Sequence, residues 1–204
     1  MTTDAFFEQL KHPNPYLRER AMLDIAESRD ENTIPRLMSA LDDEDVTYRR
    51  AAVKALGVVG ADAVTAIVEG LLHSSNVTVR GSCAKALAQV ALNYPELSFP
   101  EEGLQGLKQA LHDTNPVVHI ASAMALGEMG TPAYPILTEA LQTTEDIGAQ
   151  VSIVNAIASI GDPRAVELLT ALSQDASTDS YVQETATSAL SRLDLVMNYK
   201  RSDA

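Results

Sequence analysis

Apolar residues recur along the chain three and four positions apart, in short segments separated by polar turns. "TIPRLMSAL", "AVTAIVEGL", "AYPILTEAL" and "RAVELLTAL" are four such segments. This spacing puts the apolar side chains of each segment on one face of an α-helix. Other amphipathic segments, such as "DVTYRRAAVKALGVVG" and "NPVVHIASAMALGEMG", alternate with them. The pattern predicts an all-α protein built from pairs of helices.

The helix pairs repeat with a period of about thirty residues, which two independent ladders of apolar residues define. The first ladder, with intervals of 31, 31, 39, 31 and 33 residues, consists of Ile25, Leu56, Leu87, Leu126, Ile157 and Leu190. The second, with intervals of 31, 30, 40, 30 and 31 residues, consists of Leu10, Leu41, Leu71, Leu111, Leu141 and Leu172. Because one pair cannot bury its own apolar face, successive pairs are expected to stack into a solenoid.

The second helix of each pair has a marked beginning. The residue that precedes it is Asn or Asp in all six copies: Asn14, Asp45, Asn76, Asn115, Asp146 and Asp179. The short side chain of such a residue accepts a hydrogen bond from an unpaired amide of the first turn, so these positions are predicted N-caps. Pro15 and Pro116 follow at the first helical position. Gly60, Gly130 and Gly161 suit a left-handed residue after the helix.

The one long interval in both ladders marks an insertion at residues 91–102, within "ALNYPELSFPEEG". Pro95 and Pro100 prevent one helix from running through this segment. Two interpretations stay open. The insertion is either a plain surface loop or a contact loop that presents Tyr94 and Phe99 to a partner.

The repeat predicts a single domain over residues 1–193, followed by a C-terminal tail over residues 194–204 that begins apolar and finishes polar. Aromatic residues make up 4% of the chain and Trp is absent, which favours small side chains packed between helices. Cys83 is the only cysteine. An intramolecular disulfide is therefore excluded, and a reducing compartment fits best.

The formal net charge of −13 argues against non-specific binding to nucleic acid, because the phosphate backbone would be repelled. The N-terminal "MTTDAFFEQLKHPNP" does not begin as a secretory signal does, with a basic start and a long apolar run. We also find no window that approaches the roughly 18 apolar residues needed to cross a bilayer. We expect a cytoplasmic protein that does not span a membrane.

The motif "YRRAAVKALGVVG", repeated as "VRGSCAKALAQV" and "VHIASAMALGEMG", resembles the HEAT-like repeats of the phycobilin-lyase family, which includes the subunits of phycocyanin alpha-subunit bilin lyases. The resemblance runs from about Phe6 to Leu193. It implies a HEAT-like α-solenoid of about six helical pairs. We expect the second helices to line its concave side.

The resemblance also implies a cyanobacterial setting, with a phycobiliprotein or a photosystem subunit as protein partner in a hetero-oligomer. Three functions remain open. The first is a protein-binding scaffold that acts as a lyase-related chaperone or assembly factor. The second is a subunit of a bilin lyase that attaches, isomerises or detaches phycocyanobilin, the one cofactor that the resemblance suggests. The third is an interaction scaffold outside photosynthesis.

The most specific candidate site is the position seven residues before each residue of the first ladder. It is occupied by Arg18, Arg49, Arg80, His119, Gln150 and Gln183. In a stacked array these side chains become neighbours. They either bond to adjacent turn carbonyls or, with Arg50, Lys54 and Lys85, receive acidic groups of a partner or bilin propionates. We take Arg18, Arg49, Arg50, Arg80 and His119, together with Tyr94 and Phe99, as the candidate partner contacts.

The remaining reactive side chains point to structural roles. Cys83 belongs to a mostly small series expected at the helix interfaces: Ala21, Ala52, Cys83, Ser122, Ile153 and Ala186. We therefore predict a buried packing thiol in preference to a bilin thioether or a nucleophile. His12, His73 and His112 fall in turns and form no ligand pair, so no metal site is predicted. No catalytic residue can be assigned.

Overall fold

The computed structural model describes residues 2–202, and the side chains of residues 2–198. This part of the chain contains α-helices and short 3₁₀ turns and no strand. The α-helices are α1 Thr3–Gln9, α2 Pro15–Glu27, α3 Thr33–Ser39, α4 Val46–Val59, α5 Val64–His73, α6 Val77–Asn93, α7 Glu101–Ala110, α8 Pro116–Glu128, α9 Tyr134–Thr143, α10 Ile147–Ile160, α11 Ala165–Gln174 and α12 Ser180–Ser202. The predicted all-α class and its six helical pairs are confirmed.

The chain forms two compact units, Met1–Gly106 and Leu107–Ala204. In the first unit α4 packs between α2 and α6, and in the second α10 packs between α8 and α12. The second helices of successive pairs therefore stack on each other within each unit. That they line a concave side, and that residues 1–193 form one domain, stay predictions.

The last helix extends beyond the predicted repeat domain. α12 continues through residues 194–202, which the sequence assigned to the tail. Residues 203 and 204 of that tail lie outside the described residues.

The two ladders contribute large side chains to the core. The first ten ladder residues, up to Leu141 and Ile157, are buried. Leu172 and Leu190 are half-buried, because α11 and α12 form the last described pair. Fully burying one Leu or Ile side chain contributes roughly 1.5–3 kcal/mol, so each buried ladder residue stabilises the fold appreciably.

The series of mostly small residues lies inside the fold. All of its members are buried: Ala21, Ala52, Cys83, Ser122, Ile153 and Ala186. A need for space is visible between α8 and α10, where a Cβ on Gly127 would lie 3.3 Å from the carbonyl oxygen of Ala156. The burial of the series agrees with its predicted place in the helix packing, and the small Gly127 lets α8 and α10 approach closely.

The predicted N-caps are confirmed at all six positions. Each capping Asn or Asp accepts a hydrogen bond from an amide of the first turn, at 2.6 to 3.0 Å. Gly60, Gly130 and Gly161 have φ angles of 81°, 71° and 70°. Gly161 is the left-handed residue that the sequence predicted, with ψ 29°. Gly60 and Gly130 adopt a different positive-φ conformation, with ψ −143° and −151°.

One apolar stretch corrects the expectation about membrane-length segments. Val46–His73 contains an 18-residue window of mean hydropathy 1.7, which is long and apolar enough to cross a bilayer by length and composition alone. Of that window, 67% is buried inside the fold. The stretch is also divided at Gly60 into α4 and α5. Its apolar character follows from the core positions of these two helices.

Candidate partner-binding surface

Five of the six side chains seven residues before a residue of the first ladder bind the second helix to the turn that precedes it. The Nη1 atoms of Arg18, Arg49 and Arg80 donate to carbonyl oxygens six residues earlier, at 2.6, 2.6 and 3.0 Å. Nε2 of Gln150 does the same at 2.9 Å, and Nε2 of Gln183 donates to Asp175 O at 2.6 Å. Of the two interpretations in the sequence, the bonds to turn carbonyls are thus present.

Other cations of the first unit are exposed on the second helices. Arg50 and Lys54 lie on α4, and Lys85 lies on α6 at the position equivalent to Lys54 one repeat later. We call these three residues the cationic row. Arg50 and Lys54 border a groove of about 180 Å³ between α2 and α4, to which α2 contributes Glu19. The row is the part of this surface best placed to meet an acidic partner.

A second groove continues from the first across α2, α4 and α6. It has a volume of about 310 Å³, shares Glu19, Met22 and Lys54 with the first groove, and extends to Gln89 and Asn93. Its lining mixes the apolar Met22, Leu23 and Val58 with polar and charged side chains. Such a surface offers a partner both buried contacts and directional hydrogen bonds.

The insertion forms one wall of a separate cavity of about 270 Å³, which we call the insertion cleft. Its lining joins Arg29, the turn after α4 and the segment after α6: Arg29, Val59, Gly60, Ala61, Asp62, Val90, Tyr94, Leu97, Ser98, Phe99 and Pro100. Residues from three places in the sequence therefore meet here.

Tyr94 and Phe99, the predicted contact residues of the insertion, both pack against their own unit. Tyr94 Oη donates to the carbonyl oxygen of Val58, and its ring leaves only 2.8 Å to a Cβ built on Gly60. The ring of Phe99 packs so closely on Gly103 that it leaves no room for a Cβ there. The most exposed apolar residue of this wall is Leu97, with 63% of its surface accessible. The sequence analysis did not identify Leu97, nor did it predict that the insertion would lie beside Arg29 and Asp62. The repeat pattern carries no signal for contacts between these segments.

His119 lies half-buried on α8 in the second unit. Its helix exposes three apolar side chains, Val117, Ile120 and Met124. The second-helix surface is therefore apolar on α8, whereas it is cationic on α4 and α6. The sequence grouped His119 with the arginines by register, and the structure gives it these different surroundings.

Cys83 is fully buried, and burial raises the pKa of its thiol to about 12. Its Sγ leaves 2.9 Å to a Cβ built on Gly70, so it fills the space between α5 and α6. The thiolate that a nucleophile or a thioether bond requires is strongly disfavoured. Across residues 2–202, no three His, Cys, Asp or Glu side chains form a group that could hold a metal ion.

The charged residue buried most deeply in the described chain is Asp162, with 5% of its surface accessible. Arg164 binds its two carboxylate oxygens through Nε and Nη2, at 2.9 and 2.7 Å. The guanidinium also stacks over Tyr134, 4.4 Å from the ring centroid. The hydrogen bond to Asp162 raises the pKa of Arg164 above its ordinary value. This arrangement fixes the turn before α11, and its carboxylate is already engaged by a cation.

Comparison with known proteins agrees with the repeat architecture. The family model for HEAT repeats matches residues 3–88, 66–152 and 104–191. The uncharacterized phycocyanin operon protein Z of Pseudanabaena tenuis is 56% identical over 202 residues, covering 99% of this chain and 100% of that protein. The bilin biosynthesis protein CpeZ of Synechococcus sp. is 33% identical over 178 residues, covering 84% of this chain and 95% of that protein.

Two solved structures share the fold at low sequence identity. The complex of CpcE and CpcF of phycocyanin lyase from Nostoc sp. contains a chain that is 18% identical, with a TM-score of 0.50, covering 76% of this chain and 96% of that one. Human deoxyhypusine hydroxylase is also 18% identical, with a TM-score of 0.54, covering 95% and 84%. Taken with the two relatives of similar length, the repeats place this chain in the family of HEAT-repeat proteins related to the phycobilin lyases.

Proposed function

We propose that this chain is a protein-binding HEAT-repeat scaffold that acts as a lyase-related chaperone or assembly factor for a phycobiliprotein. The observation that carries the proposal is the cationic row of Arg50, Lys54 and Lys85, exposed on adjacent second helices of a chain whose net charge is −13. The relatives supply the partner class, since one is a phycocyanin operon protein and another a bilin biosynthesis protein. A cytoplasmic location and a hetero-oligomer fit this role.

The cationic row would recognise carboxylates on the partner. Charged groups at such a surface steer the encounter and fix the orientation of the two proteins more than they add affinity. Arg18 and Arg49 would assist at the edge of the row. Their carbonyl bonds use Nη1, and a guanidinium has five donors, so the same side chains can hold a turn and meet a carboxylate. His119, Tyr94 and Phe99 stay candidates for further contacts.

The alternative is a subunit of a bilin lyase, which the relation to the bilin biosynthesis protein favours. Bilin chemistry would need an enclosed pocket and a carboxylic acid that protonates the tetrapyrrole. Asp162, the buried acid of the described chain, is bound by Arg164 at 2.7 Å. The structure therefore supports the scaffold more strongly than the enzyme.

The proposal is tested by capturing partners from a cyanobacterial lysate with the tagged chain. Bound subunits are identified by mass spectrometry, and bound pigment is measured by absorbance. Phycobiliprotein subunits captured with pigment already attached would support the chaperone role. Transfer of free phycocyanobilin to a colourless subunit in the presence of the chain would favour the lyase. Capture of proteins outside the photosynthetic apparatus alone would contradict both.

A further inference from the structure

The wall of the insertion cleft is held at its two ends and exposed between them. Tyr94 is fixed by its bond to Val58 and by the ring contact at Gly60, and Phe99 is fixed against Gly103. Between them the backbone turns, with Leu97 N donating to Tyr94 O at 3.1 Å. The cleft is thus formed before any partner arrives. Preformed sites bind with a smaller loss of conformational entropy.

The cleft combines an apolar interior with an ion pair at its rim. Val59, Val90, Leu97 and Pro100 contribute the apolar lining. At the rim, Arg29 Nη2 lies 2.9 Å from Asp62 Oδ2, and the two side chains are 48% and 62% exposed. Their charges cancel, so the rim does not favour a ligand of either sign. It offers hydrogen-bond donors and acceptors side by side.

The donor of Arg29 and the acceptor of Asp62 lie side by side and are complementary to the C=O and N–H groups of a peptide backbone. A backbone carbonyl can accept from Arg29 while a neighbouring N–H donates to Asp62. The cavity volume of about 270 Å³ is smaller than the roughly 300–1,000 Å³ of sites that enclose drug-sized molecules. It therefore suits one large side chain better than a linear tetrapyrrole. Apolar anchors that fill small pockets dominate the energetics of many protein interfaces.

We infer that the insertion cleft is a docking site for a peptide segment of a partner protein, which places one large apolar side chain between Val90 and Leu97 and pairs its backbone with Arg29 and Asp62. The inference deepens the proposed scaffold function and rests on it for the identity of the partner. The cleft itself can be tested without that partner.

The probe is N-acetyl-L-phenylalaninamide, titrated into the full-length ¹⁵N-labelled chain and followed by NMR. We expect saturable shifts of the amides of Gly60, Ala61 and Tyr94, with a dissociation constant on the order of millimolar for so small a fragment. Ala61→Trp fills the cleft from its exposed rim and should abolish the shifts. Ala176→Trp, at another exposed alanine, should leave them unchanged. Asp62→Asn combined with Arg29→Gln should weaken binding several-fold.

Three results would overturn the inference. The first is an absence of saturable shifts at these amides, or shifts that survive in Ala61→Trp. The second is equal binding of N-acetyl-L-alaninamide, which would remove the role of the large side chain. The third is tighter binding of 3-phenylpropionate, which would identify a small anionic ligand as the occupant.

A separate measurement links the cleft to the scaffold. Ala61→Trp should reduce the capture of phycobiliprotein subunits from lysate, while Ala176→Trp should not. If the wild-type chain captures no phycobiliprotein, the proposed function fails while the titration still reports on the cleft. If the titration succeeds and Ala61→Trp captures subunits as well as the wild type does, docking at the cleft is wrong.

Discussion

Arg49 Nη1 donates a hydrogen bond of 2.6 Å to the main-chain carbonyl oxygen of Asp43, six residues earlier. The same bond joins Arg18 to His12 at 2.6 Å. In the second unit, Gln150 makes it to Thr144 at 2.9 Å. In these three copies a long side chain with an N–H donor makes the bond, and Gln150 shows that the positive charge is not required for it. A neutral amide at position 49 should therefore keep the bond that stabilises the turn while it removes the charge proposed to meet a partner.

Arg49→Ala should lower the free energy of unfolding by about 1–2 kcal/mol, because the carbonyls of Asp43 and Glu44 lose a charged donor in a part-buried turn. Arg49→Gln should lose less than half as much, since Gln150 shows that an amide can make the bond. Urea denaturation followed by circular dichroism measures both. Equal losses in the two variants would show that the charge itself stabilises the turn.

The cap of α4 gives a second prediction. Asp45 Oδ1 accepts from Thr47 N at 2.8 Å and from Tyr48 N at 3.3 Å. Asp45→Ala should cost about 1 kcal/mol of unfolding free energy, because these amides lose their acceptor. Asp45→Asn should cost only a few tenths, since Asn14, Asn76 and Asn115 cap the equivalent helices. Equilibrium urea denaturation compares the three proteins, and a loss in Asp45→Asn as large as in Asp45→Ala would refute the capping role.

Gly60 and Gly130 form a matched pair for the role of the insertion. Both have positive φ, at 81° and 71°, but only a Cβ on Gly60 would meet a neighbour, Tyr94 Cε2 at 2.8 Å, while Gly130 has open space. Gly130→Ala should cost about 1–3 kcal/mol for its backbone conformation. Gly60→Ala should cost at least about 1 kcal/mol more, because the ring of Tyr94 must also move.

A double-mutant cycle isolates that contact. In a Tyr94→Ala background the extra cost at Gly60 should disappear, while the cost at Gly130 should persist. If the two alanine variants are equally destabilised in the wild-type background, the insertion is not packed on the turn after α4, and the insertion cleft loses its fixed wall.

Much of the fold follows from the sequence because its causes are local and periodic. The caps, the ladders and the helix ends each depend on residues within a few positions of one another, and six copies reinforce each weak signal. The exact conformation of Gly60 was not foreseen, because it depends on how the next 3₁₀ turn begins at that residue. A positive φ was predictable, and its ψ was not.

The candidate site could be predicted only in part. The sequence named Arg50 and placed Arg18 and Arg49 on one side of the array, but it could not decide which donors the turns would use. The insertion cleft depends on a contact between residues 29, 62 and 94–100, far apart in the sequence and outside the repeat period. Contacts of that kind follow from tertiary packing, for which a single sequence has no periodic signal.

Cys83 should be unreactive and should make the fold sensitive to alkali. Burial raises its pKa to about 12, from an ordinary value of 9.0. Well below pH 9 the thiol is protonated in both the folded and the unfolded state. As pH rises from 9 towards 12 the unfolded chain releases the proton and the folded chain keeps it, so stability falls by up to about 1.4 kcal/mol per pH unit.

Two measurements check this assignment. The thiol should react with 5,5′-dithiobis(2-nitrobenzoic acid) at pH 8 only after denaturant is added. Cys83→Ala should show a flatter loss of stability between pH 9 and 10 than the wild type, whatever its stability at pH 7. Rapid labelling of the native protein would contradict the packing role and reopen attachment of a bilin at this thiol.

The last prediction concerns the cationic row. Substitutions there change the surface charge without disturbing the core, so they test whether partner binding depends on that charge. Arg50, Lys54 and Lys85 are exposed, so Arg50→Glu, Lys54→Glu and Lys85→Glu combined should leave the fold intact and should abolish capture of an acidic phycobiliprotein subunit. Glu19 borders the same groove. Glu19→Gln removes a negative charge there and should strengthen capture at low salt, with the gain disappearing as ionic strength rises. Weaker capture by the triple variant together with stronger capture by Glu19→Gln would be hard to attribute to misfolding. Unchanged capture in the triple variant would instead move the interface to the apolar surface of α8 or to the insertion cleft.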